Sequence, residues 1–126
     1  MSDTLLIIED NEQNFYLMRF LLEKSGYTVV GAPNGREGIQ LALDHRPRAI
    51  LLDIQLPEMD GYEIAAKLKA SDELKAIPII AVTSYAMVGD RERILAAGAT
   101  GYIEKPINPD TFVKQIRSYV EAGVEI

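Results

Sequence analysis

Two spacings of apolar residues alternate along the chain. Short runs of consecutive apolar, β-branched-rich residues are separated by longer stretches in which apolar residues recur every three or four positions. The short runs predict five strands, at residues 4–8, 28–31, 49–53, 78–83 and 101–103. Central runs such as LLII and IIAV are apolar throughout, which is typical of strands covered by helices on both faces.

The longer stretches predict five helices. Asn34 and Asp60 are each followed three residues later by a glutamate, a spacing that resembles a capping box at a helix start. Gly26 and Pro47 are typical stop signals, and Pro109 suits a first helical position. Four of the predicted helices cover residues 12–25, 34–46, 87–97 and 109 to about 121, and the third helix starts at residue 60 and turns Ile64, Ala65 and Leu68 inward.

Five strand–helix units in 126 residues predict a single α/β domain that covers residues 1–126. The expected architecture is a doubly wound five-stranded parallel sheet in the flavodoxin-like order 2-1-3-4-5, with helices on both faces. In such sheets ligands bind at the carboxyl ends of the strands, next to the reversal between strands 1 and 3.

The composition argues against several classes of function. The chain has no cysteine, which excludes disulfides, zinc–thiolate sites and thiol nucleophiles. A formal net charge of −6 argues against electrostatic binding of nucleic acid. No apolar run is long enough for a membrane span, and the first residues lack the basic start of a signal peptide. We therefore expect a cytoplasmic protein that binds neither membranes nor nucleic acid.

Polar side chains follow the strands at the edge where ligands are expected. Glu9 and Asp10 follow strand 1, Asp53 ends strand 3, Thr83 ends strand 4, and Lys105 follows strand 5. Taken singly, each is also explained as a cap, a polar strand end or a solvated charge. Together, neighbouring carboxylates repel one another and favour a cation, and oxygen-only ligands select Mg²⁺, with Mn²⁺ as the second choice. Next to such a cation, Asp53 can attack phosphorus as a nucleophile while Lys105 and Thr83 contact phosphoryl oxygens.

Four motifs in this order carry a resemblance to a known family: IIEDN, LLDIQLPEMDG, AVTSYAM and GYIEKPI. From about residue 4 to residue 120 the chain resembles the CheY-like receiver domain of two-component response regulators. DIQLPEMDG and SYAM make it similar, more narrowly, to single-domain regulators of the DivK type.

The resemblance implies roles for individual residues. Asp53 is the expected phosphoacceptor, Thr83 and Tyr102 the switch residues, and Lys105 the phosphate-contacting lysine. The bond that precedes Pro106 is expected to be cis. The implied ligands of Mg²⁺ are Glu9, Asp10, Asp53 and the backbone carbonyl of Gln55.

The resemblance also implies partners. A sensor histidine kinase or a histidine phosphotransfer protein would donate the phosphoryl group. The output would be a phosphorylation-dependent interaction with another protein through helix 4, strand 5 and helix 5. We expect a signalling phosphoacceptor and not an enzyme, with chemistry limited to its own autophosphorylation and autodephosphorylation, and a monomer rather than a homodimer.

Two other functions compete with this interpretation. Haloacid-dehalogenase-like phosphatases also use a strand-end aspartate, but they place a second aspartate two residues later, where this chain has Gln55. A constitutive, phosphorylation-independent interaction module would not need the complete set of acidic, hydroxyl and lysine residues that is present here.

Overall fold

The computed structural model describes residues 3–54, 61–84 and 88–122. Strands and helices alternate strictly along these ranges. The strands are β1 (Thr4–Ile8), β2 (Thr28–Ala32), β3 (Ala49–Asp53), β4 (Ile79–Thr83) and β5 (Gly101–Glu104). The helices are α1 (Glu12–Lys24), α2 (Gly35–His45), α3 (Gly61–Ala70), α4 (Val88–Ala96) and α5 (Phe112–Ala122). All strand pairs are parallel, and the sheet order β2-β1-β3-β4-β5 confirms the predicted topology.

The core consists of two apolar layers, one on each face of the sheet. Along β1, Leu5 and Ile7 join the layer that contains residues of α1 and α5, whereas Leu6 and Ile8 join the layer that contains residues of α2 and α3. All four side chains are fully buried. The unbroken apolar runs follow from this geometry, because successive side chains of a strand point to opposite faces and both faces are covered.

Two predicted helix ends are confirmed in detail. Asn34 Oδ1 accepts a hydrogen bond from Glu37 N at 2.9 Å, and Asn34 Nδ2 donates to Glu37 Oε2 at 3.1 Å. Gly26 has a φ of 100°, which lets Tyr27 N donate to Leu22 O at 3.1 Å and closes the end of α1. Asp60, the other predicted cap, lies outside the described residues. Among the described helices, none is both long and apolar enough to cross a membrane.

The predicted start of the last helix is wrong. Residues 109–111 form a turn, and α5 begins at Phe112. Asn108 Oδ1 accepts from Asp110 N at 2.9 Å, and Asn108 O accepts from both Thr111 N and Phe112 N, at 3.2 and 2.9 Å. A short polar side chain that binds its own backbone stabilises a turn here, so Pro109 is not the first helical residue. The other described element ends for which the sequence predicts a bound agree with the prediction to within one residue, which is the usual uncertainty of such bounds.

Candidate functional site

Parallel pairing of β1 with β3 brings the acidic residues together. The register places Ile8 opposite Leu52, so the next residues, Glu9 and Asp53, leave neighbouring strands at the same edge of the sheet. One carboxylate oxygen each from Glu9, Asp10 and Asp53 lies within 4.8 Å of the other two. The acidic cluster thus lies at the reversal between strands 1 and 3, the place where the sequence predicts a ligand site.

The loop after β1 is held by hydrogen bonds at both ends. Glu9 N donates to Ala32 O at 3.0 Å, which ties the loop to β2. Asn11 N donates to Glu9 Oε2 at 3.2 Å, while Asn11 Oδ1 accepts from Asn14 N at 2.9 Å and caps α1. Asn11 thus orients a metal-ligand candidate, a role that the sequence analysis missed although an asparagine before a helix is its ordinary signal.

Lys105 reaches the acidic cluster from the far side of β4. Its backbone N–H donates to Thr83 O at 2.8 Å, and the following bond to Pro106 is cis. Lys105 Nζ lies 2.9 Å from Glu9 Oε1 and 3.4 Å from Asp53 Oδ2. The ammonium group is therefore within contact distance of both buried carboxylates.

One lysine does not compensate for two buried acids. Glu9 and Asp53 are 4% and 3% exposed, whereas Asp10 is open to solvent. Burial first, and then the hydrogen bond with Asp53 and the charge of that carboxylate, raise the pKa of Glu9 to about 7, against lowering effects from Lys105 and Asn11 N–H. Without a metal, Glu9 therefore binds a proton near neutral pH.

The residues present fit a hard divalent cation. Glu9 Oε1 is buried, and among the described residues it forms one ion pair, with Lys105 Nζ at 2.9 Å, which leaves it able to coordinate a cation. Three carboxylates without nitrogen or sulfur ligands suit Mg²⁺, and exposed Asp10 leaves room for the waters that this ion retains. The backbone carbonyl of Gln55 lies outside the described residues.

The two expected switch residues lie on β4 and β5. Thr83 is buried and follows Val82, which pairs with Asp53. Tyr102 is half-buried and packs against a small cluster of buried residues, Ile54, Ala81 and Ile94. Because Ile54 directly follows Asp53, this cluster connects the strand end with Tyr102.

Gly61 is a second residue whose importance only the structure reveals. A Cβ atom there would lie 2.5 Å from Ile54 Cα and 2.9 Å from Asp53 O. Gly61 N also donates to Ile54 O at 3.0 Å. The start of α3 therefore packs directly on the backbone that carries Asp53, and a side chain would separate them. The only signal in the sequence is a glycine after an acidic residue at a predicted helix start.

A doubly wound sheet with an acidic cluster and a lysine at the ends of its strands is the arrangement of a receiver domain. The chain belongs to the response regulator receiver domain family, whose model matches residues 5–117. It is 50% identical to the polar-differentiation response regulator DivK of Brucella anthropi over 95% of this chain and 98% of that protein. DivK of Brucella abortus is 48% identical over the same shares. The predicted similarity to the DivK type is confirmed.

Solved structures show the same fold. The chemotaxis protein CheY4 of Vibrio cholerae has a TM-score of 0.90 at 28% identity, over 94% of this chain and 99% of that one. The receiver domain of a sensor histidine kinase from Pseudomonas aeruginosa has a TM-score of 0.87 at 31% identity, over 96% and 99% of the two chains. That structure has a magnesium ion coordinated in its active-site cleft.

Proposed function

We propose that the chain is a response regulator in which Asp53 accepts a phosphoryl group in a Mg²⁺-dependent reaction. The donor is a phosphohistidine of a sensor histidine kinase or of a histidine phosphotransfer protein. One observation carries the proposal: a buried aspartate at a strand end lies 3.4 Å from a lysine ammonium and within 4.8 Å of two further carboxylates. Asp53 ends β3, while Glu9 and Asp10 follow β1 and Lys105 follows β5, so three strands position the reacting groups.

The transfer is a substitution at phosphorus. An oxygen of Asp53 attacks the phosphorus, the new O–P bond forms as the N–P bond to the donor imidazole breaks, and the imidazole nitrogen keeps the bonding electron pair and takes up a proton. Lys105 neutralises charge on the phosphoryl oxygens, and Thr83 donates a hydrogen bond to one of them. Attack by water on the same phosphorus later releases inorganic phosphate and restores the carboxylate. The chain acts chemically only on itself.

Glu9, Asp10 and Asp53 would hold the metal, and the family implies the backbone carbonyl of Gln55 as a fourth protein ligand. When bound, Mg²⁺ supplies positive charge to the phosphoryl oxygens, and Mn²⁺ can substitute for it. The magnesium ion in the Pseudomonas aeruginosa receiver domain supports this assignment.

The output surface is the face formed by α4, β5 and α5. Tyr102 supports this assignment because it has contacts in two directions. It packs on the cluster that follows Asp53, and it also lines an open cavity of about 370 Å³ between β5 and α5, together with Glu104, Pro106, Asn108, Thr111, Gln115 and Tyr119. A rotation of Tyr102 after phosphorylation changes the shape of that cavity, which a partner protein then recognises.

Intact-mass spectrometry tests the proposal most directly. The protein is incubated with Mg²⁺ and acetyl phosphate, and one added phosphoryl group is expected. Asp53→Asn and a chelated sample should gain none. Asp72→Asn is the matched control, because the Asp72 side chain is 94% exposed and forms a surface ion pair with Lys75; this variant should be phosphorylated like the wild type.

Two results contradict the proposal. The first is phosphorylation of Asp53→Asn to the wild-type level, which would place the phosphoacceptor elsewhere. The second is an unmodified wild-type protein both with acetyl phosphate and with phosphorylated histidine kinases of its own genome, provided that the protein is folded and binds Mg²⁺. That outcome would favour a constitutive interaction module.

A further inference from the structure

Helix α1 exposes two large aromatic side chains to solvent. Tyr16 is 69% exposed and Phe20 is 49% exposed, on the opposite face of the helix from the buried Met18 and Leu22. Their rings stack with centroids 6.3 Å apart and planes 21° apart. They are two of the three exposed large hydrophobic residues in the described part of the chain, the third being Leu95 on α4. An exposed aromatic pair of this kind is typical of a surface that another molecule covers.

The aromatic pair lies within a row of four residues whose charges are opposite at its two ends. The row consists of Glu12, Tyr16, Phe20 and Lys24, spaced four residues apart, and we call it the α1 row. Lys24 Nζ lies 5.9 Å from the centre of the Phe20 ring, so the basic end continues directly from the aromatic pair. Glu12 lies in the first turn of the helix and Lys24 in the last.

The α1 row is complementary to itself. At 100° per residue, the midpoint of the row lies at the height of residue 18 along the helix axis but on the opposite side of the helix. Because Met18 is buried, this midpoint faces away from the core. A two-fold axis through that midpoint brings Tyr16 opposite Phe20 of a second copy and Glu12 opposite its Lys24. Each contact then occurs twice, and four rings form one apolar cluster between two pairs of opposite charges.

We propose that α1 is a homodimer interface in which two copies pack antiparallel through the α1 row. Charge complementarity favours a second copy of this chain over an unrelated partner. In an antiparallel pair, the acidic end of each α1 row faces the basic end of the other, and the aromatic residues face each other. Arg19 and Glu23, which flank the row, are paired with each other at 3.2 Å and need no partner from the second copy. This inference does not depend on phosphorylation of Asp53.

The dimer is weak. One helix face buries less surface than a stable protein interface needs, so we expect a dissociation constant of about 0.1 mM. At micromolar concentrations the protein is then a monomer, as the sequence predicts. The interface also adjoins the phosphorylation site, because Glu12 lines a cavity of about 230 Å³ together with Glu9, Asp10 and Phe15.

Sedimentation velocity at increasing protein concentration tests the dimer. We expect a monomer near 10 µM and mostly dimer near 1 mM. The double variant Tyr16→Ser/Phe20→Ser should remain monomeric throughout, whereas Leu95→Ser, which removes an equally exposed apolar side chain from α4, should dimerise like the wild type. Circular dichroism checks that each variant is folded.

A charge swap distinguishes this pairing from other contacts. Glu12→Lys and Lys24→Glu should each weaken the dimer about tenfold, because like charges then face each other twice, and the double variant Glu12→Lys/Lys24→Glu should restore it. A monomeric wild type at 1 mM overturns the proposal. So does a dimer that both aromatic substitutions leave intact, or a double charge variant as weak as the single ones.

Discussion

Glu9 is a buried acid whose protonation should be visible in the stability of the metal-free protein. Its pKa is raised from 4.5 to about 7 by burial and by Asp53. Between these pH values the folded state binds a proton that the unfolded state does not, so the free energy of unfolding decreases as pH rises. Protonation of Glu9 therefore stabilises the folded state by up to about 3 kcal/mol. This stabilisation is complete below pH 4.5 and is lost above pH 7.

Glu9→Gln should remove this dependence, because the amide cannot ionise. Urea unfolding in the presence of a chelator, at about pH 5 and pH 8, measures the difference in the free energy of unfolding between the wild type and the variant. Relative to the wild type, Glu9→Gln should be more stable at pH 8 than at pH 5. The control is Glu92→Gln, at an exposed position of α4. An equal shift in both variants would show that the pH effect does not come from Glu9.

Residue types at strand ends were enough to predict most of the candidate site. Glu9, Asp10, Asp53 and Lys105 were all singled out from the sequence, and the described structure brings them together. Their relative burial was not predictable, because it depends on how far each loop is covered by its neighbours. That difference in burial raises the pKa of Glu9 to about 7, while Asp10 remains exposed to solvent.

The contact between α3 and β3 leads to a prediction about two elements. Gly61→Ala places a methyl group against the backbone of Ile54 and Asp53. Unlike the end of a flexible side chain, this backbone cannot rotate away from the methyl group. We expect a loss of about 2 kcal/mol in the free energy of unfolding. Phosphorylation by acetyl phosphate should be roughly tenfold slower, because the displaced strand end misaligns Asp53.

The matched control lies on the same helix. Ala66 is exposed on α3, and Ala66→Gly should cost about 1 kcal/mol through helix propensity alone. It should leave the rate of phosphorylation unchanged, whereas Gly61→Ala changes both quantities. Equal rates in the two variants would mean that the α3 contact has no influence on Asp53.

Sequence patterns predicted the elements well because the fold imposes them locally. Asn34 and Gly26 have short-range partners, and both helix ends were confirmed. Pro109 was misassigned because proline is compatible with a first helical turn and equally with a turn before it, and the side chain of Asn108 decides between them.

For the whole molecule, Mg²⁺ binding should raise stability, since an ion that binds only the folded state shifts the unfolding equilibrium. At a concentration 100 times its dissociation constant the gain is about 2.7 kcal/mol. Asp10→Asn should lose most of this gain without destabilising the metal-free protein, because Asp10 is exposed. Thermal unfolding at about 10 µM protein, with and without Mg²⁺, measures both effects, and that concentration keeps the proposed α1 dimer dissociated.

Asp72→Asn again serves as the control and should be stabilised like the wild type. The gain should also decrease below pH 7, because the metal must then displace the proton on Glu9. If Mg²⁺ stabilised Asp10→Asn as much as the wild type, the ion would bind outside the acidic cluster.

The sequence alone determined the fold class, the strand order and the edge of the sheet where the acidic cluster and Lys105 lie. These follow from local periodicity and from general rules of chain connection, which need no distances. Only the tertiary structure decided that Lys105 contacts both Glu9 and Asp53, that Gly61 packs on the backbone of Asp53, and that Tyr16 and Phe20 face solvent. Each of these depends on how separate elements pack, because a helix pattern does not show which apolar residues the core leaves uncovered.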